Sequence, residues 1–151
     1  MRYLIGVGSY MAGDDAVGPR VVEYVLTHDL ARGFTAVDLS TDALSLVAYL
    51  NADTEAILVV DAARLGLTPG AFRIFSPDEV ETQKELAALS THEGDVLKVL
   101  QLARDAGYPI PRTAIMGIQP GETESGTELS EDIRRRVPEY AAAAVERLVG
   151  L

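Results

Sequence analysis

The sequence predicts an α/β fold: a three-layer sandwich on a mostly parallel five-stranded sheet, with one antiparallel strand and helices on both faces. Three observations lead there. Short apolar runs alternate with stretches of helical periodicity, the pattern of strands joined by crossover helices. One run, AILVVDAA at 56–63, is almost wholly apolar, as a central strand covered on both faces must be. The connection after it is too short for a crossover helix, which predicts one strand running against its neighbour. A chain of 151 residues suits a single domain, 1–151, and is long enough to bury one substantial core.

The elements follow in order. RYLIGVG (2–8) is a buried strand. The opening MRYLIGVG has one charge and no small-residue cleavage site, so it reads as that strand and not as a secretory leader. A helix from Val17 to Leu30 gathers Val17, Val21, Val22 and Val25 on one face. Pro19 falls in its first turn, where a missing N–H costs nothing. FTAVDLS (34–40) is the second strand, and Ala43 to Leu50 a short helix with Leu46, Val47 and Leu50 inward. After the third strand, 56–63, Thr68-Pro69-Gly70 marks a turn and AFRIF a fourth strand, antiparallel to the third.

Ser76-Pro77-Asp78-Glu79 opens a helical turn with a capping-box pattern, and Ser90-Thr91-His92-Glu93 is a second such box. The stretch between them carries no clear signal. The second box starts a helix whose inward face is Val96, Val99, Leu100 and Ala103. TAIMGIQP (113–120) is the fifth strand and GETESGTEL (121–129) a polar loop. Ser130 caps a last helix with Ile133, Val137, Tyr140, Ala141, Ala144, Val145 and Leu148 on one face. Pro138 interrupts that periodicity and should kink it.

Composition narrows the function. Hydrophobic residues make up 48% of the chain, and cysteine is absent. The first excludes a disordered chain, the second disulfides, thiolate metal sites and cysteine nucleophiles. No apolar run reaches the ~18 residues of a membrane span, and a cytoplasmic location fits. The net charge of −10 repels nucleic acid and anionic membrane. Arg134-Arg135-Arg136 lies beside Glu131 and Asp132 in the last helix and reads as a solvated face.

The chemistry concentrates where the strands' carboxyl ends meet loops, the place where open α/β sheets bind ligands. GVGSYMAGDDAVG (6–18) follows strand one. It begins like a dinucleotide-binding G-x-G-x-x-G, but Met11 stands at the third glycine. Two carboxylates would also meet the pyrophosphate. No Gly-Lys-Ser/Thr follows, which excludes a P-loop. A phosphoacceptor receiver domain has its acid pair directly after strand one and a lysine ending strand five; neither holds here.

The pair Asp14-Asp15 fits a helix cap or one wall of a metal site, and one residue can serve each role. Asp61 ends an apolar strand, where a carboxylate is costly unless paired or metal-bound; the alternative is a bond to the following AARLG turn. His92 opens a helix, where the dipole keeps the ring neutral and fit to bind metal; the alternative is a solvent-facing residue. The other histidine, His28, belongs to the last turn of helix one and reads as surface. Two carboxylates and an imidazole suit zinc or nickel with open positions.

At these residues the chain resembles the maturation endopeptidases of nickel–iron hydrogenases. That family opens with a strand and G-x-G-N-x-L-x-x-D-D-G-V-G, matched here by Gly6 to Gly18. Asp61 in LVVDAA matches its aspartate after strand three, His92 in STHEGDVLKVL its helix-opening histidine, and GIQP its C-terminal part. The resemblance spans essentially the whole chain. It implies that Asp15, Asp61 and His92 are metal ligands and the catalytic set. The metal it implies is nickel already inserted in a hydrogenase large-subunit precursor, and zinc or cadmium can occupy the site in vitro. The implied activity is that of an aspartic-type endopeptidase, active as a monomer, that removes the precursor's C-terminal extension. The alternative is a non-proteolytic, nickel-dependent checkpoint module of the same fold. Ser9 replaces the family's asparagine and Ala16 its glycine, and Asp38-Leu39-Ser40-Thr41 stands where D-x-G-T is common. The last change bears on the substrate more than on the metal.

Overall fold

In the computed structural model, residues 1–79, 91–124, 126 and 128–151 are described, with the backbone alone for 91–95. The strands are β1 (Arg2–Val7), β2 (Thr35–Ser40), β3 (Ala56–Ala62), β4 (Phe72–Phe75) and β5 (Arg112–Ile118). The helices are α1 (Val17–Thr27), α2 (Thr91–Asp105) and α3 (Glu131–Gly150). Short 3-10 helices cover Gly13–Ala16, Ala43–Tyr49 and Pro77–Glu79.

The five strands form one sheet in the order β2-β1-β3-β5-β4. The first three pairings are parallel and β4 is antiparallel to β5. The expected direction of β4 therefore holds, but its partner is different. It pairs with β5, through Phe72↔Ile118 to Phe75↔Ile115, and not with β3. Both edges of β3 are already taken, by β1 and β5. The loop after β3 is long enough to step over one strand and reach the outer edge.

Every residue of β3 is buried, and its alternation divides the core in two. Leu58, Val60 and Ala62 pack with Leu4, Met116 and Ile118 against the α1 valines and Ile133, Tyr140, Ala144 and Leu148 of α3. Ile57 and Val59 pack with Ile5, Val7 and Ile115 against Leu46, Leu50 and the Val96, Val99, Leu100 and Ala103 face of α2. Each face of the sheet thus buries its own set of helical side chains, the three-layer arrangement that the apolar run of β3 requires.

Local chemistry sets the ends. α1 stops at Thr27, short of Leu30, because Asp29 takes a φ of +52°. The segment after β2 is a 3-10 helix capped by Asp42, whose carboxylate accepts the Ser45 N–H at 3.3 Å; Leu46 and Leu50 are buried and Val47 partly so. The Ser76–Glu79 box forms, with the Ser76 N–H donating to Glu79 at 3.2 Å. Of the second box, Ser90 and the side chains of Thr91, His92 and Glu93 lie outside the described residues. α3 runs through Pro138, which is exposed. The bond it withholds is to the exposed Arg134, where water can take its place. No helix among the described residues is long and apolar enough to cross a membrane.

Candidate active site

Strand order reverses between β1 and β3, since β2 lies on one side of β1 and β3 on the other. Such a switch point opens a crevice at the strands' carboxyl ends. Glycines let the backbone close around it. A Cβ on Gly18 would stand 2.3 Å from the Val60 carbonyl oxygen and 2.4 Å from that of Val7. α1 therefore begins wedged between the ends of β1 and β3. Gly8 has a φ of +148°, and a Cβ there would meet the Asp15 carbonyl oxygen at 2.0 Å. The Gly13–Ala16 turn, which carries both aspartates, is thus held at the mouth of the crevice.

Asp61 lies on β3 paired with Gly117 of β5, one residue beyond the Gly6↔Val60 pair with β1. It is completely buried. By the alternation of β3 it continues the Ile57–Val59 face, the one that α2 covers. α2 leads into the start of β5, so it begins at the opposite, carboxyl edge. Its 15 residues span about 22 Å, and the 7 residues of β5 span about 23 Å. The first turn of α2, with His92 as its second residue, is therefore level with the strand ends on the face to which Asp61 belongs. The His92 side chain is outside the described residues, and among those described no three His, Asp or Glu groups gather as a metal site.

The two neighbouring aspartates have parted company. Adjacent residues of a 3-10 helix point about 120° apart. Asp15 is half-buried, and one of its oxygens accepts the Ser9 N–H at 3.3 Å. The Ser9 hydroxyl accepts the Met11 N–H at 3.3 Å, so serine supplies local bonding where asparagine is usual. Asp14 is completely buried and turned the other way. Its carboxylate accepts the N–H groups of Gly121 and Glu122, each at 2.8 Å, and the N–H of Ser130 at 2.7 Å. The Ser130 hydroxyl donates to it as well, at 2.8–2.9 Å from its two oxygens.

Two expectations are corrected here. Neither aspartate is the N-cap of α1: that position is Ala16, and the N-cap of the turn before it is Ala12, neither with a capping side chain. Nor does Ser130 cap α3 through its side chain, because its hydroxyl is spent on Asp14. In both cases a partner more than 100 residues away outcompetes the local bond: Gly121, Glu122 and Ser130 for Asp14, and the Asp14 carboxylate for Ser130.

Other residues at this edge gave little sequence signal. The Gln119 side-chain oxygen accepts the N–H groups of Leu65 and Leu67 at 2.7 and 3.3 Å, pinning the loop that follows Asp61. Its only mark in sequence is a polar residue directly after an apolar strand. Arg134 and Arg135 are exposed as expected, but Arg136 turns inward and donates to the Gly70 carbonyl at 2.7 Å, beside the Tyr140 hydroxyl at 2.5 Å. Burial, followed by the negative charge of Asp38, pushes the Tyr10 phenol up to about 12. The Arg20 guanidinium lies 4.8 Å from the Tyr10 ring centroid. Ser40, where D-x-G-T would place glycine, still takes a φ of +50°. The bonds from its N–H and hydroxyl to Asp38, at 2.7 and 3.1 Å, hold it there. His28 is on the surface, stacked on Tyr24.

The model of the hydrogenase maturation protease family matches residues 19–147. This chain belongs to that family. The protease is 29% identical to the hydrogenase expression/formation protein HupD of Rhizobium leguminosarum bv. viciae, over 96% of its own length and 72% of the relative's. It is 31% identical to the hydrogenase 3 maturation protease of Escherichia coli, over 78% of its length and 71% of that protein's. Its fold is that of the NiFe hydrogenase maturation protease HycI of Thermococcus kodakarensis, with a TM-score of 0.73 at 26% identity, covering 97% and 91% of the two chains. The protease is accordingly a hydrolase of hydrogenase maturation, an endopeptidase by family.

Proposed function

We propose that this protease removes the C-terminal extension of a hydrogenase large-subunit precursor, and that it recognises the precursor by nickel already inserted there. In this reading Asp15, Asp61 and His92 are the groups that meet the nickel, which belongs to the substrate. The observation that supports it best is Asp61. A completely buried carboxylate ends an apolar strand at the switch point, on the side from which α2 begins, one strand away from the turn bearing Asp15. Burial of that kind is costly unless something cationic or protic matches it. Two oxygen donors and an imidazole suit nickel or zinc, and cadmium as a probe, with positions left open.

Coupling recognition to the metal gives the selectivity that a maturation step needs. Without nickel, docking the precursor desolvates the half-buried Asp15 further and brings no cation to the site. With nickel, Asp15 and Asp61 are both ligands. Peptide hydrolysis then requires a water to add to the scissile carbonyl and a proton to reach the departing amine; the two carboxylates are the groups at hand to move that proton. The polar loop from Gly121, whose Gly121, Glu122 and Glu124 backbones lie at the same edge, is a candidate contact surface. The protein works as a cytoplasmic monomer in this scheme.

The test compares nickel-loaded and nickel-free large-subunit precursor, followed by the electrophoretic shift on cleavage. Only the loaded form should be processed, and generic unfolded proteins should be ignored. Equal cleavage of both forms would point to an ordinary protease.

A further inference from the structure

Asp14 has no part in the scheme above, yet it is as deeply buried as Asp61. We infer that Asp14 is a positioning residue: it clamps the loop beginning at Gly121 and the start of α3 onto the Gly13–Ala16 turn, and so sets the direction in which Asp15 presents its carboxylate. The inference rests on the reading of Asp15 as a metal ligand.

The geometry is that of a lock. Asp14 accepts three backbone N–H groups and one hydroxyl, while its own N–H donates to the Glu122 carbonyl at 2.5 Å. Gly126 adds a second tie, its N–H donating to the Met11 carbonyl at 2.5 Å. Gly121 lets the loop approach this closely, since a Cβ there would lie 3.3 Å from an Asp14 carboxylate oxygen. On the other side of the turn, the Asp15 carbonyl presses against Gly8. A short 3-10 turn held from both sides cannot rotate, so fixing Asp14 fixes its neighbour about 120° away. The supporting shell around a metal ligand commonly tunes it in this way. Here the support passes through the backbone rather than through a bond to the ligand itself.

Asparagine is the sharp substitution. Both Asp14 oxygens accept donors, so an amide NH2 in either place opposes an N–H group. The experiment is calorimetric titration of the full chain with zinc chloride, alongside thermal melts. Asp14→Asn should bind zinc about tenfold more weakly while remaining folded. Arg2→Ala, which loosens the opposite edge of the sheet, should lower the melting temperature and leave zinc affinity unchanged. Wild-type zinc affinity in folded Asp14→Asn would make the clamp merely structural and overturn the inference. Should Asp14→Asn fail to fold, Ser130→Ala removes only the hydroxyl donor and should weaken zinc about threefold; unchanged affinity there overturns it equally. Asp15→Asn and Asp61→Asn separate the two readings. Wild-type zinc affinity in both would sink the ligand assignment, and the inference with it. Loss in both, with none in Asp14→Asn, would sink the clamp alone.

Discussion

The two edges of the sheet are built on opposite principles. At the amino edge, opposite charges meet near the surface. Arg2 bonds Glu55 at 3.1 Å and donates to the last carbonyls of α3, Leu148 and Val149, at 2.7 and 2.9 Å. Arg112 reaches the same glutamate at 4.0 Å. Glu55 is 54% exposed, so each contact is modest and water can replace it. At the carboxyl edge, by contrast, two like charges are completely buried, Asp14 and Asp61, with Asp15 between them in sequence. Folding alone would not favour that arrangement, because each buried carboxylate must be matched. Asp14 is matched by backbone and serine. On the proposed reading, Asp61 is the buried carboxylate that would face a cation. On the proposed reading, one edge closes the fold and the other receives the ligand.

The largest effect expected from this contrast is on activity at the carboxyl edge. Asp61→Asn and His92→Ala should each lower precursor processing at least about a hundredfold, as loss of a positioned acid–base or ligand group does. The melting temperature should hold, or rise for Asp61→Asn as a buried charge is neutralised. Cleavage and thermal melts measured on the same preparations check this. Loss of activity together with gross unfolding would make these residues structural and erase the contrast.

Next in size is a change of packing at the same edge. Gly18→Ala places a methyl against two carbonyl oxygens that cannot retreat without parting β1 from β3. It should destabilise by ~3 kcal/mol or more, read as a shift in the urea midpoint at constant slope.

A smaller effect distinguishes the edges by pH. Tyr10 and Tyr140 both lie toward the carboxyl edge, and burial raises each phenol to about 12 from an ordinary value of 10.0. A raised folded value means that the native state keeps a proton which the unfolded chain gives up. Their stabilising contribution is therefore complete below pH 10 and lost as pH rises from 10 toward 12. Denaturation midpoints should fall across that window, and less steeply in Tyr140→Phe. That variant should also lose about 1 kcal/mol at neutral pH, since Arg136 still donates to the Gly70 carbonyl when the phenol is gone.

Smallest is the amino edge. Arg2→Ala should cost about 1 kcal/mol, from lost bonds to the α3 carbonyls, with processing unchanged. A large loss of activity there would mean that the two edges are coupled.

Much of this could be read without coordinates. The five strands fall where runs of alternating or continuous apolar residues predict them, since a period of 2.0 or 3.6 is a local property of the chain. Asp61 is legible for the same reason: a charge ending an apolar strand is an anomaly on its face. The Gly6 to Gly18 segment announces a tight approach of backbone, and Gly8 and Gly18 are where it happens.

Tertiary structure alone decided the partners. That β4 pairs with β5 and not β3 depends on which edges remain open once the parallel strands are in place. That Asp14 leaves α1 uncapped and instead binds Gly121, Glu122 and Ser130 depends on groups 107 to 116 residues further along. That Arg136 parts from its two arginine neighbours depends on where the turn at Gly70 comes to lie. Period and propensity act over a few residues. A hydrogen bond acts over 3 Å whatever the distance along the chain, and only the folded chain says which groups come that close.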